Sequence, residues 1–277
     1  MTIWYTEKHT PHSGITMEVK KSIYHGESEF QTLDILDTFE FGRIFLLDGV
    51  VMLTESDEFV YHEMLAHVPL NTHSSPEKVL VVGGGDGGTV REVLKHPQVK
   101  EVTLVEIDRM VVETALEYLP GISEGLRDPR TKIVYDDGAR FVADTAPGSF
   151  DVILVDSTDP VGPAEELFTE GFFRNCAKAL GPDGVFVSQS ESPFYHLPFM
   201  VNIYRRMDGI YPNVGFYLAA VPTYPSGNWS FLMGSKAEKT SLPECRDHVE
   251  LPTRYYDRQI HLASFAVPRF LAEALAK

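Results

Sequence analysis

Four acidic side chains fall where they could touch a bound cation or nucleoside: Asp86, Glu106, Asp156 and Asp159. Asp86 sits inside a glycine run, VVGGGDGGTV, at residues 81–90. Gly83, Gly85 and Gly88 there satisfy G-x-G-x-x-G, a spacing that permits a tight turn and close backbone approach to a ligand. Glu106 ends the next apolar run, where a carboxylate can accept from both hydroxyls of a ribose. A nucleoside ligand follows from the two together. A dinucleotide would place its pyrophosphate at this turn. Asp86 would oppose it by about 4 kcal/mol at ~4 Å and an effective dielectric near 20, which disfavours a nicotinamide oxidoreductase. S-adenosylmethionine brings an ammonium that Asp86 favours and a carboxylate that it opposes. The charge placement therefore points to decarboxylated S-adenosylmethionine.

Asp156 ends the run DVILVD and is followed by STDPVGPAEELF. Ligands in open α/β sheets bind beyond the carboxyl ends of the strands. Asp156 and Asp159, three residues apart, suit a substrate with two ammonium groups. The competing reading of Asp159 is a turn cap before Pro160. The Pro/Gly-punctuated stretch 157–166 is long enough to act as a lid. Asp136, Asp137 and Gly138 follow another apolar run; a carboxylate there can accept from an adenine amine or simply form a turn. His62 and His67 are spaced i, i+5, about 140° apart on a helix, so they cannot share a zinc on one face. His67 reads as a packed or surface residue.

These residues need a scaffold, and the hydrophobic pattern supplies one. Short strand-like runs at 15–24, 31–36, 43–48 and 50–54, separated by turn residues, predict antiparallel hairpins. Residues 56–70 read as a helix with Ser56 as its cap, and 71–78 as a loop. From residue 79 strands and helices alternate, with strands at 79–82, 101–108, 132–135, 151–156 and 184–189 and helices at 89–96 and 109–119. Such alternation predicts a parallel sheet covered on both faces. Residues 214–222 and 228–235 read as an antiparallel edge hairpin. The fold class is thus α/β, a doubly covered parallel sheet behind a small N-terminal antiparallel β unit. The division is placed at 1–55 and 56–277.

Composition narrows the function. The 277 residues carry 24 Lys and Arg against 40 Asp and Glu, a net charge of −16. That excess argues against nucleic-acid partners, whose binding depends on Lys and Arg, and is compatible with cationic small molecules. No apolar stretch approaches the roughly 18 residues of a membrane span, and no signal-peptide core follows the first Met. A cytoplasmic protein is the default. Two cysteines, Cys176 and Cys245, form neither a disulfide framework nor a zinc motif.

The motifs GGGDGG, VEID, YDDGARF, DVILVDSTDPVGPAEELF and PTYPSGNWSF, with DEFVYHEMLAHVPL ahead of them, occur in the order seen in the spermidine synthase family. The chain resembles that family of polyamine aminopropyltransferases over essentially its whole length. The resemblance implies transfer of an aminopropyl group from decarboxylated S-adenosylmethionine to putrescine, with no metal and no resident cofactor. It implies a class I methyltransferase-like Rossmann sheet with a small N-terminal antiparallel β domain, assembled as a homodimer or homotetramer. Asp156 is then the catalytic base, and Asp86 and Asp159 bind the amine, walled by Tyr61, His62 and Tyr224. Glu106 holds the ribose and Ile107 packs on the adenine. Asp137 and Gly138 contact the adenine, while Gln31 and Pro163 touch the nucleoside, as do Gly83 and Gly85 in the turn. His62 departs from relatives that carry Gln there, so its implied role is hydrogen bonding or shape. Rival readings are the same chemistry on cadaverine, agmatine or spermidine, an amine N-methyltransferase, and a non-catalytic polyamine- or nucleoside-binding protein.

Overall fold

Alternation of buried and open side chains builds an antiparallel sheet from the first 54 residues. In the computed structural model its strands are β1 (Ile3–Thr10), β2 (Ser13–Glu27), β3 (Thr32–Thr38), β4 (Arg43–Leu47) and β5 (Val50–Thr54), in spatial order 1-2-3-4-5. The structure describes residues 2–160, 162–238, 242–243, 245 and 250–277. β1, paired with β2 from Ile3↔Val19 onward, is an addition to the strands expected from sequence. Its mostly open residues, with Ile3, Trp4 and Tyr5 adjacent rather than alternating, carry no apolar period to read.

Helix α1 (Glu58–Thr72) follows. Ser56 does not cap it. The N-cap position is Asp57, whose carboxylate instead accepts from Thr54 Oγ1 at 2.7 Å and from the Thr223 hydroxyl at 2.7 Å. The helix also runs into the expected loop, to Thr72. Every α1 residue except Phe59 is buried, so its polar side chains must all find partners inside the protein.

The second sheet contains β6 (Lys78–Gly83), β7 (Glu101–Glu106), β8 (Thr131–Tyr135), β9 (Phe150–Asp156), β10 (Leu180–Gln189), β11 (Asn213–Ala219) and β12 (Trp229–Ser235). Between them lie α2 (Gly88–Leu94), α3 (Arg109–Tyr118), the single turn α4 (Pro120–Ser123), α5 (Gly138–Asp144), α6 (Glu170–Ala179) and α7 (Leu197–Met207). Helices α8 (Arg258–Ser264) and α9 (Arg269–Leu275) close the chain. The spatial order is 11-12-10-9-6-7-8. Strands 6 to 10 are parallel, and β12 and β11 add an antiparallel edge. Residues 162–168, overlapping the expected lid at 162–166, form a 3-10 helix, and residue 161 of the expected lid lies outside the described residues.

Strand residues alternate between two apolar layers. Val79, Val81 and Leu154 face the α1 side, and Leu80, Val82 and Val155 face α6 and α7. A third cluster joins the two sheets: Leu33, Ile35, Phe45 and Leu53 pack on Val111, Leu119 and Ile122 around α3. The chain order reverses direction between β6 and β9, and Gly83 pairs with Asp156 there. That switch point is where this architecture binds its ligands. Among the described residues no helix is long and apolar enough to cross a membrane.

Candidate active site

A cavity of about 390 Å³ opens at the switch point, between the two sheets. Gln31, Tyr61, His62, Gly83, Gly85, Asp86, Glu106, Ile107, Asp137, Gly138, Asp156, Asp159 and Tyr224 all line it. The side chain of Pro163 lies outside the described residues.

One end of the cavity is lined by Gln31, Glu106, Ile107, Asp137 and Gly138. Glu106 is buried and accepts from Gly85 N–H at 3.1 Å and Asp108 N–H at 3.0 Å. Burial, with smaller repulsion from Asp108 and Asp86, pushes its carboxyl up to about 7 against these two bonds. Gln31 reaches in from the hairpin sheet and donates from Nε2 to Asp108 Oδ2 at 3.0 Å. Ser28 donates to the same oxygen at 2.7 Å, and Asp108 Oδ1 caps α3 through Met110 N–H. Asp137 caps α5 through Arg140 N–H at 2.8 Å, so it is held in place as it faces the cavity. Asp136 is turned aside by its pairing with Arg140 and Asp137 N–H. A Cβ on Gly138 would come within 2.4 Å of Val82 Cγ1, so glycine permits the close approach of α5 to β6.

The other end gathers carboxylates and aromatic rings. Asp156 accepts from the Tyr61 hydroxyl at 2.9 Å and from Thr89 Oγ1 at 2.6 Å. The backbone of Gly84, at φ 69°, leaves room for it: a Cβ there would lie 2.7 Å from Asp156 Oδ2. Asp86 accepts from Gly88 N–H at 2.8 Å and lies 3.4 Å from His62 Nε2. The two carboxyls are pushed apart in proton affinity. Burial and the charge of Asp86 raise Asp156, although Thr89, Tyr61 and His62 act the other way. Burial would raise Asp86 too, but His62 and Gly88 N–H outweigh it and hold Asp86 low. Such a split marks one group as the readier proton acceptor and the other as a fixed charge. Asp159 stands on the rim; the surrounding protein and Glu191 push it up to about 7.

Tyr61, Tyr224 and Trp229 form an aromatic wall, with ring centroids 5.7 Å apart for the tyrosine pair and 4.8 Å for Tyr224 and Trp229. His67 is on the far side of α1 from this site, between His96 at 2.9 Å and Glu92 at 3.0 Å. Thr89, Glu7, Gln189 and Trp229 were not among the residues singled out from sequence. Thr89 carried a usable signal, a hydroxyl in the first turn after the glycine loop. Glu7 carried none: it lines the cavity from β1 and accepts from Val51 N–H at 2.7 Å.

The fold and site define a transferase of the nucleoside-dependent, methyltransferase-like class. Comparison with known proteins narrows this. The spermine/spermidine synthase domain matches residues 58–244, and the spermidine synthase tetramerisation domain matches residues 3–55. Polyamine aminopropyltransferases of Bacillus mycoides and Bacillus subtilis are each 49% identical, over 276 and 273 residues; both alignments cover 99% of this chain, and 100% and 99% of those proteins. A spermidine synthase crystallised with the transition-state analogue AdoDATO superposes with a TM-score of 0.92 at 43% identity, covering 99% of this chain and 95% of that one. The Thermotoga maritima spermidine synthase gives a TM-score of 0.91 at 42% identity, with the same coverage. The chain belongs to the spermine/spermidine synthase family of polyamine aminopropyltransferases.

Proposed function

We propose that the protein transfers the aminopropyl group of decarboxylated S-adenosylmethionine to putrescine, giving spermidine and methylthioadenosine. The observation that carries this reading is Asp86, an ionised carboxylate inside the nucleoside turn and beside Asp156. It favours a donor with an amine and no carboxylate, and an acceptor that is cationic.

The donor sulfonium is already activated and leaves as a neutral thioether, so the chemistry requires neither metal nor general acid. Orientation and a neutral amine are what the protein must supply. Holding the reactants near 3–3.5 Å can contribute ~7–11 kcal/mol. An alkylammonium near pKa ~10.4 costs about 4.6 kcal/mol to deprotonate at pH 7. An ordinary carboxylate is a poor acceptor for that proton. Asp156, raised by burial and by Asp86, is a better one. Its bonds to Tyr61 and Thr89 fix both oxygens, so the proton is taken at a defined place. Asp159 is positioned to pair the far ammonium, and the Tyr61–Tyr224 wall can line the methylene chain, where aromatic faces attract ammonium by ~0.5–2 kcal/mol. On the nucleoside side Glu106 holds the ribose, and Ile107, Asp137 and Gly138 frame the adenine.

Assembly into a homodimer or homotetramer belongs to the same reading. It is supported by the tetramerisation-domain match and by Ile3, Trp4 and Phe39, large apolar side chains left open on the hairpin sheet. A cytoplasmic location fits an enzyme acting on small, free cations.

The test is a mass-spectrometric product assay with putrescine and either decarboxylated or intact S-adenosylmethionine. Spermidine and methylthioadenosine from the decarboxylated donor alone are expected. Methylputrescine from the intact donor would mean an N-methyltransferase and a wrong reading of Asp86.

A further inference from the structure

Glu58 and His62 stand one turn apart on the same face of the buried helix α1 and form a unit behind Asp86. His62 Nδ1 lies 2.6 Å from Glu58 Oε2, and His62 Nε2 lies 3.4 Å from Asp86 Oδ1. Both ring nitrogens therefore face carboxylate oxygens. A neutral imidazole would turn a lone pair towards one of them, whereas an imidazolium donates to both. The ring is buried and packs closely under Gly88, where a Cβ would come within 2.3 Å of it. Glu58 is itself fixed: Arg91 Nη2 donates to its two oxygens at 3.1 and 2.8 Å, and Arg91 Nε donates to Glu92 at 2.8 Å.

We propose that Glu58, clamped by Arg91, is a positioning residue that keeps the His62 imidazole doubly protonated beside Asp86, so that a fixed cation opposes the ammonium form of the attacking amine. This deepens the aminopropyl-transfer reading and rests on it. The amine must lose a proton, yet Asp86 and Asp156 both favour its charged form. A resident cation against Asp86 offsets that pull without occupying the amine's place. The charged and titratable groups around His62 are Glu58 and Tyr61 on α1, Asp86 in the turn, Arg91 on α2 and Asp156 at the end of β9. Burial disfavours the imidazolium, but Asp86 and Glu58 outweigh it and push His62 up to about 10.

The experiment combines histidine-selective NMR of the 15N-labelled, ligand-free protein with pH profiles of kcat, for wild type and Glu58→Gln. His62→Gln assigns the His62 signals. In the wild type His62 stays protonated from pH 6 to pH 8; in Glu58→Gln it titrates inside that window. The kcat deficit of Glu58→Gln is expected to be small at pH 6 and to widen to about tenfold at pH 8, the effect of one pKa unit on the bound amine. A structural defect alone would lower kcat equally at all pH values. A His62 that is neutral at pH 7 in the wild type overturns the proposal, as does one that stays protonated in Glu58→Gln or a variant profile parallel to wild type. The wild-type titration decides the state of His62 even if the variant does not fold. It also stands apart from the product assay: no aminopropyl product from wild type would sink the functional reading while the NMR result still held.

Discussion

Asp156 illustrates how one side chain acquires a chemical task from its neighbours. Burial and Asp86 raise it, while Tyr61 and Thr89 hold both its oxygens. Replacing it with Asn is expected to lower kcat by ~10²–10⁴-fold, the usual contribution of a general base. Affinity for methylthioadenosine in that variant, measured by calorimetry, should stay within a few-fold of wild type; wild-type turnover would remove Asp156 from the role. Activity should rise from pH 6 towards 9, because the amine is increasingly deprotonated over that range. A flat profile with chemistry rate-limiting would contradict this. Glu106 gives a second pH signature. Its carboxyl is near 7 without ligand, and ribose hydroxyls donate to the ionised form, which lowers it on binding. Methylthioadenosine should therefore bind more weakly below pH 7, by up to tenfold per unit, and level off above it. Titrations at pH 6.5 in buffers of different ionisation heat should show proton release. Equal heats after correction for affinity would exclude that linkage.

At the scale of elements, what the sequence shows depends on how local the cause is. The glycine turn and its flanking strand and helix are legible because tight backbone geometry demands particular residues at adjacent positions. β6, β7, β9 and β10 are legible because parallel strands buried on both faces read as largely apolar runs, and the edge strand β8 is legible from its β-branched KIVY. β1 is not, since Trp4, Thr6 and Lys8 alternate with Tyr5 and Glu7 without an apolar face, and its partner strand decides its structure. Glu7 reaches the cavity for the same non-local reason. The start of α1 is ambiguous in sequence because Ser56 and Asp57 are both good caps in isolation; contacts distant in sequence, Thr223 to the Asp57 carboxylate, accompany the choice of Asp57. Glu58 and His62 do stand at i, i+4, but that spacing alone cannot tell a solvated pair from a buried one. The α5–β6 contact offers a direct test of element packing. Gly138→Ala sets a methyl 2.4 Å from Val82 Cγ1, and overpacking of this kind costs ~1–3 kcal/mol. A lower urea midpoint and weaker methylthioadenosine binding are expected together; an unchanged midpoint would show that α5 can shift freely.

Across the whole molecule the cavity belongs to neither sheet alone. Gln31, Phe45, Leu47 and Met52 come from the hairpins, and Asp86, Glu106 and Asp156 from the second sheet. The sequence motifs mark the second contribution clearly and the first hardly at all, because hairpin residues serve the site through docking rather than through a motif of their own. Asp108 is the joint: one carboxylate oxygen holds Ser28 and Gln31 of the hairpin unit, the other caps α3. This has a thermal consequence. Heat should dissolve both sheets in one cooperative transition, since parting them exposes the shared apolar cluster and strands a buried carboxylate. Saturating methylthioadenosine at about 100 times its dissociation constant should stabilise that single unit by about 2.7 kcal/mol. Scanning calorimetry that resolved two peaks, with only one moved by ligand, would show the sheets melting separately. If there is one peak, Asp108 makes the hairpins share in the heat resistance conferred by a molecule whose ribose and adenine are held largely by the other sheet.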